Sequence, residues 1–200
     1  MAGIWIYSEE KQVADQLISI GRITADSLKE ELNVIALTDQ DSETFIKEGA
    51  DRVIQIKDAL PWPEDYAKTI TAILKEQAPT AVLIGGTLRG KTAASCIAAN
   101  LQTGLVNNAF SIEVKDGIIE TKRVMYSGIA VCTEELSQGS IITIEPRTYD
   151  SAAADEKRQG TSEVYSAEQP DAAVSVGSIA PIVHQGGDIT TADKLVCVGR

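Results

Sequence analysis

Short apolar runs alternate with longer amphipathic stretches through the first half of the chain. The runs at 3–7, 33–39, 51–57 and 81–85 ("GIWIY", "NVIALTD", "DRVIQIK" and "AVLIG") have the length and composition of buried strands. Between them, apolar residues recur at intervals of three and four, which places their side chains on one face of a helix. The repeated order of strand and helix predicts an α/β fold with a doubly wound, mostly parallel sheet of the Rossmann-like class.

Capping and breaking residues delimit the four predicted helices. Asp41 or Ser42 is a suitable N-cap for the second helix, and Gly49 is a natural end for it. Pro79 stops the third helix, and the fourth is expected over 91–101. The predicted apolar stripe of the first helix consists of Val13, Leu17, Ile20, Leu28 and Leu32.

The pattern changes after Gly104. The run 109–124 reads as two strands around an Asp-Gly pair at 116–117, which is a strong hairpin signal. The stretches 127–136 and 140–146 read as further strands, so the C-terminal half is expected to add antiparallel strands to the sheet. The polar segment 151–169 is predicted to be a linker or surface excursion.

The end of the chain is unusual for a complete domain. Strand character returns over 172–184, and a last apolar strand is expected at Leu195–Val198, before Gly199. Such a strand normally opens a strand–helix unit, and no helix follows. Either the strand joins the edge of the preceding sheet, or the chain is the front part of a longer protein.

A nucleotide-binding pattern lies between the fourth strand and the fourth helix. "GGTLRGKT", residues 85–92, fits G-x-x-x-x-G-K-[ST], in which glycines expose backbone N–H groups to phosphate. Lys91 would then neutralise the phosphate and Thr92 would hold Mg²⁺. The pattern follows the fourth strand rather than an early one, and Glu145, followed by Pro146, is the one fair candidate for a second acidic Mg²⁺ ligand.

The alternative is a tight strand-to-helix turn shaped by its glycines, with Arg89 and Lys91 on the surface. The start of a helix can also hold an anion without hydrolysing anything. The candidate anion-binding loop consists of Gly86, Thr87, Arg89, Gly90, Lys91 and Thr92.

Composition narrows the classes of function. The 200 residues include 29 acidic and 18 basic side chains, a formal charge of −11, which disfavours nucleic acid and anionic membranes as partners. No apolar stretch is long enough to insert into a membrane, and the N-terminus does not resemble a signal peptide. We therefore expect a cytoplasmic protein.

The few cysteines and the single histidine form no recognisable site. Cys96, Cys132 and Cys197 are far apart, and His184 alone accompanies them, which is not a metal-binding pattern. Cys96 and Cys197 lie among apolar residues in the sequence, where a free cysteine behaves as a small hydrophobic residue. We therefore expect the protein to be in a reducing compartment. No Ser/His/Asp arrangement can be built around His184, so no catalytic residue is predicted.

Several segments, taken in order, resemble one family. "IWIYSE", "TLRGKTAASCIAANLQTGLVNNAFSIEV", "RVMYSGIAV", "IITIEPRTYDSAAAD" and "DITTADKLVCVGR" are similar to successive segments of electron transfer flavoprotein α subunits, and the wording of "RGKTAAS" and "MYSGIAV" is closest to the FixB-type branch. The resemblance covers essentially the whole chain.

The resemblance implies a fold and a function. It implies a Rossmann-like, adenine nucleotide alpha hydrolase-like domain over 1–190 that packs against a β subunit, and the first strand of an FAD-binding domain over 191–200. The complete heterodimer would carry electrons from dehydrogenases to an acceptor. Gly199 and Arg200 match the turn near the flavin, where a guanidinium stabilises the reduced, anionic flavin. In such heterodimers the β subunit, rather than α, carries AMP or a second flavin.

Three hypotheses follow. The leading one is an interaction domain of the α subunit, which alone binds no FAD tightly and catalyses nothing. The second is a small ATP-dependent enzyme that uses Lys91 and Thr92, and the third is a free-standing nucleotide-binding sensor of similar fold.

Overall fold

A computed structural model describes residues 2–60, 62–168, 177–178, 180, 189, 192 and 194–199. Its strands are β1 (Ile4–Tyr7), β2 (Leu32–Ala36), β3 (Arg52–Ile56), β4 (Ala81–Gly85), β5 (Leu105–Lys115), β6 (Ile118–Met125), β7 (Ala130–Glu135), β8 (Ser140–Ile144) and β9 (Thr161–Tyr165). Its helices are α1 (Lys11–Leu28), α2 (Ser42–Glu48), α3 (Ala67–Gln77) and α4 (Leu88–Leu101), with short 3-10 turns at Pro63–Tyr66 and Tyr126–Gly128. The chain divides into two units, Met1–Pro170 and Asp171–Arg200, and the sheet belongs to the first.

All of these strands belong to one sheet, in the order β7-β6-β5-β8-β4-β1-β2-β3-β9. Seven neighbouring strands run parallel to one another, namely β5, β8, β4, β1, β2, β3 and β9. At the other edge, β6 pairs antiparallel with both β5 and β7. The predicted doubly wound sheet with added antiparallel strands is therefore confirmed.

Both faces of the sheet are covered by helices. Ile4 and Ile6 of β1 face the core formed with α1 and α2, whereas Trp5 and Tyr7 face the core formed with α3 and α4. This burial on both faces explains why the central strands are uninterrupted apolar runs rather than alternating ones.

Two strands differ from the sequence-based expectation. β8 does not extend the antiparallel part; it lies at the centre of the sheet, parallel to both β4 and β5. All five residues of β8 are buried, which is the pattern of a central parallel strand. Residues 161–165, expected in a linker, form the edge strand β9 beside β3, and their polar composition reflects exposure at that edge.

Some boundaries of helices and strands also differ from the predicted ones. Leu32 belongs to β2 rather than to the first helix, because it pairs with Ile4 of β1. α4 begins at Leu88 instead of Lys91, because Thr87 provides its N-cap. The Asp116-Gly117 hairpin is confirmed, with both residues at positive φ (51° and 80°) as a tight hairpin turn requires.

The described residues near the C-terminus do not form the expected last strand. Residues 195–199 have no regular secondary structure, because a short apolar run is not a stable strand without a strand to pair with. Most of the predicted strand at 172–184, including His184, lies outside the described residues, as does Arg200.

Candidate functional site

The turn from β4 into α4 contains the nucleotide-binding pattern found in the sequence. Gly85 ends β4, Gly86 follows, and the Thr87 hydroxyl caps α4 by accepting a hydrogen bond from the Gly90 N–H at 2.8 Å. Two residues thus connect strand and helix, and Lys91 already lies in the first turn of α4.

Three backbone N–H groups of the turn, those of Gly86, Gly90 and Lys91, already have hydrogen-bond partners. The Lys91 N–H donates to the Thr87 carbonyl at 3.0 Å, and the Gly86 N–H donates to the Ile144 carbonyl of β8 at 2.6 Å. The Thr92 hydroxyl donates to the Leu88 carbonyl at 3.2 Å rather than facing a metal site. A P-loop wraps phosphate with free N–H groups, so these three groups are not available to a phosphate in this conformation.

The glycines of the turn are explained by close packing. A Cβ at Gly86 would lie 2.5 Å from the Ile144 carbonyl oxygen, and one at Gly90 would lie 2.1 Å from the Gly85 carbonyl oxygen. Both distances are far below van der Waals contact, so glycine lets α4 approach the sheet. The spacing that matches a nucleotide motif is a requirement of helix–sheet packing.

A carboxylate lies where an anion would bind. The Thr87 hydroxyl donates a hydrogen bond to Glu9 Oε1, while Glu9 Oε2 is buried and has no partner within the described residues. A negative side chain is favoured at the start of a helix and disfavours a second anion there. The anion-binding role of residues 86–92 remains a prediction.

A second side chain, that of Gln40, links two strand ends beside this position. In doubly wound sheets ligands bind outside the carboxyl ends of the strands where the strand order reverses, here between β1 and β4. The Gln40 side chain accepts from the Leu37 N–H at 2.8 Å and donates to the Ser8 carbonyl at 2.9 Å, which joins the ends of β1 and β2. Burial raises the pKa of the Tyr7 phenol at the end of β1, and Glu9 adds to the effect.

One pocket at this edge has an acidic lining. A pocket of about 390 Å³ lies beside Glu9, Asp39, Leu37 and Tyr66. Two carboxylates repel a pyrophosphate, and the Tyr66 hydroxyl is already engaged with the Leu60 N–H and the Asp58 carbonyl. This pocket is therefore unfavourable for the pyrophosphate of FAD.

The Arg89 side chain is partly exposed, and its guanidinium has partners in the neighbouring segment. Its guanidinium lies 4.8 Å from the Trp62 ring and donates to Glu64 at 3.1 Å. Lys91 is half-buried and makes no ion pair with the described part of the chain.

The other predicted site residues are exposed or outside the description. Gly199 is exposed, and its predicted partner Arg200 is not described. The cysteines are free, but Cys96 and Cys197 are exposed rather than packed among apolar residues; Cys96 lies on the outer face of α4. Among the described residues no cluster suited to a metal ion was found, nor a helix long and apolar enough to cross a membrane.

The sequence reasoning missed an apolar surface on the β6–β7 hairpin. Val124, Tyr126, Ile129 and Val131 are all more than half exposed. Apolar residues on both sides of the Ser-Gly turn at 127–128 were the available signal, but the segment was interpreted only as part of a strand and as a mark of resemblance.

Comparison with known proteins identifies the family. The family model "Electron transfer flavoprotein domain" matches residues 4–170, most of the chain. The chain belongs to the electron transfer flavoprotein family. The resemblance seen in the sequence is thereby confirmed.

Several members of the family resemble the chain along most of its length. The putative electron transfer flavoprotein subunit YdiR of Escherichia coli K12 is 30% identical over 149 residues, 74% of this chain and 48% of YdiR. Protein FixB of Shigella dysenteriae serotype 1 is 28% identical over 203 residues, 98% of this chain and 63% of FixB. Protein FixB of Salmonella typhimurium is 27% identical over 203 residues and 64% of its length is covered. The chain thus spans about half to two thirds of these relatives.

Proposed function

We propose that the chain is the N-terminal region of an α-type electron transfer flavoprotein subunit, which pairs with a β subunit in an FAD-containing electron carrier. Dehydrogenases would supply the electrons and a separate acceptor would receive them. The match to the family over residues 4–170, together with the FixB relatives along nearly the whole chain, supports this proposal.

The carboxyl edge of the sheet supports a scaffold role for this region. Glu9 hydrogen-bonds Thr87 at the β1–β4 switch point, where doubly wound domains bind nucleotides, which favours binding of a partner chain over binding of a nucleotide. In the proposal, residues 1–190 form the interaction domain and residues 191–200 begin the FAD-binding domain, with Gly199 and Arg200 near the flavin in the complete protein.

Co-expression tests the proposal. The complete subunit, extended beyond residue 200, is purified with a candidate β subunit and its visible absorption spectrum is recorded. We expect a heterodimer with stoichiometric FAD, and no flavin absorbance for the 200-residue chain alone. A complete subunit that forms no heterodimer, or a 200-residue chain that retains stoichiometric flavin, contradicts the proposal.

A further inference from the structure

The hairpin patch, defined as Val124, Tyr126, Ile129 and Val131, is an apolar surface on an otherwise acidic molecule. Val124 and Val131 are directly opposite each other on β6 and β7 and are 55% and 57% exposed. Tyr126 and Ile129, in the connecting turn, are 73% and 87% exposed. A cluster of exposed apolar side chains on a protein surface marks an interaction site.

The patch is local to the tip of the hairpin. The inward positions Ile119 and Thr121 of β6 are buried against the domain, so the hairpin is packed on one face. Further from the tip, most outward positions are polar or charged: Lys115 binds Glu120 at 2.6 Å, and Lys122 binds Glu113 at 3.1 Å, whereas Ile118, at the far end of β6, is 45% exposed. An antiparallel sheet with one solvated face normally alternates apolar inward and polar outward positions, so four exposed apolar side chains at the tip need another explanation.

Within the unit that contains the sheet, the described residues leave the patch uncovered, because all four side chains are more than half exposed. A second copy of the chain is disfavoured, because two chains with a formal charge of −11 repel each other.

We propose that the hairpin patch is the surface on which the partner subunit of the flavoprotein docks. The inference rests on the proposed function and names the place of subunit contact. Glu135 is exposed on the same face of β7 and makes no ion pair with the described residues. The partner is therefore expected to present an apolar surface with a basic group beside it.

The test compares substitutions at the two edges of the sheet. The complete subunit with Ile129→Ser and Val131→Thr is titrated with the β subunit by isothermal calorimetry. The control carries Leu88→Ser and Val164→Thr, which replace equally exposed apolar residues on α4 and on β9. We expect the hairpin variant to lose at least about tenfold in affinity, because apolar anchors dominate interfaces, and the control to stay within about twofold of wild type.

The outcomes separate this inference from the proposed function. Both variants should unfold at the wild-type temperature, which excludes misfolding as the cause. Unchanged affinity in a correctly folded hairpin variant overturns the docking site while leaving the heterodimer intact. A wild-type subunit that binds no β subunit overturns the proposed function itself. Self-association that disappears in the hairpin variant assigns the patch to a second copy and overturns the choice of partner.

Discussion

At the scale of single residues, the carboxyl group of Glu48, the last residue of α2, lies in surroundings that disfavour its charged form. Its side chain is 11% exposed and lies 3.8 Å from Lys11, which binds Asp15 more closely at 2.8 Å. Glu48 Oε2 is buried with no partner within the described residues. Burial, followed by the charge of Asp15, raises the pKa of Glu48 to about 7, and Lys11 offsets the effect only partly.

The raised pKa predicts a loss of stability above neutral pH. The folded state favours protonated Glu48, so its contribution is complete below the unfolded pKa of 4.5 and is lost as pH rises through about 7. Glu48→Gln should therefore be more stable than wild type at pH 8.5 by about 1–2 kcal/mol, and equal to it at pH 4.5. Urea unfolding at several pH values measures the difference.

A control on the same helix makes this result specific. Glu43 is an exposed carboxylate in the first turn of α2, and Glu43→Gln should follow the wild-type pH dependence through this range. Parallel pH profiles for Glu48→Gln and wild type would show that Glu48 titrates normally.

At the scale of secondary-structure elements, ion pairs hold the segment that leads into the polar edge strand β9 against the sheet. Asp51, next to β3, accepts from Arg22 at 2.6 Å and from Arg158, which precedes β9, at 2.7 Å. It also accepts from the Leu32 N–H at 2.9 Å. Although partial burial alone would raise the pKa of Asp51, this hydrogen bond and Arg22 hold it below its usual value. One carboxylate thus joins α1, β2 and the segment leading into β9.

Removing Asp51 should loosen this edge of the sheet. We expect Asp51→Ala to lower the free energy of unfolding by about 1–3 kcal/mol, because two guanidinium groups and an N–H lose their acceptor. Asp26→Ala removes another, exposed partner of Arg22 and should cost less than about 0.5 kcal/mol. Chemical denaturation compares the two variants, and equal losses would contradict a special role for Asp51.

The elements that sequence patterns predicted are those with a local signal. Buried runs and helical spacing indicated the strands and helices up to α4, and Asp116-Gly117 indicated its hairpin. The chain forms β5, β6 and β7 at the edge of the sheet before it returns to its centre as β8, between β5 and β4. No local sequence pattern encodes this return. β9 was missed because its few apolar residues resemble a linker, and its stability comes from distant partners such as Arg52, bound to Glu163 at 2.8 Å.

In the candidate site, too, sequence patterns predicted only the features that have a local signal. The spacing of Gly85, Gly86 and Gly90 correctly indicated a strand-to-helix turn, because the signal lies within a few residues. The groups that occupy the anion position and link the strand ends come from far along the sequence: Glu9 reaches Thr87, and Gln40 reaches Ser8. Only the sheet order brings them together.

For the molecule as a whole, these contacts predict no specific binding of ATP. The acidic chain, the bonded N–H groups of the turn and the Glu9 carboxylate all oppose a triphosphate. We expect isothermal calorimetry with Mg²⁺–ATP to give a Kd weaker than about 1 mM, a free energy of binding smaller in magnitude than about 4 kcal/mol. Lys91→Ala should behave in the same way, as should Lys75→Ala, which removes an exposed lysine on α3. Saturable binding by wild type and Lys75→Ala that disappears in Lys91→Ala would instead support the ATP-dependent enzyme, because a P-loop lysine is the group whose charge the phosphates require.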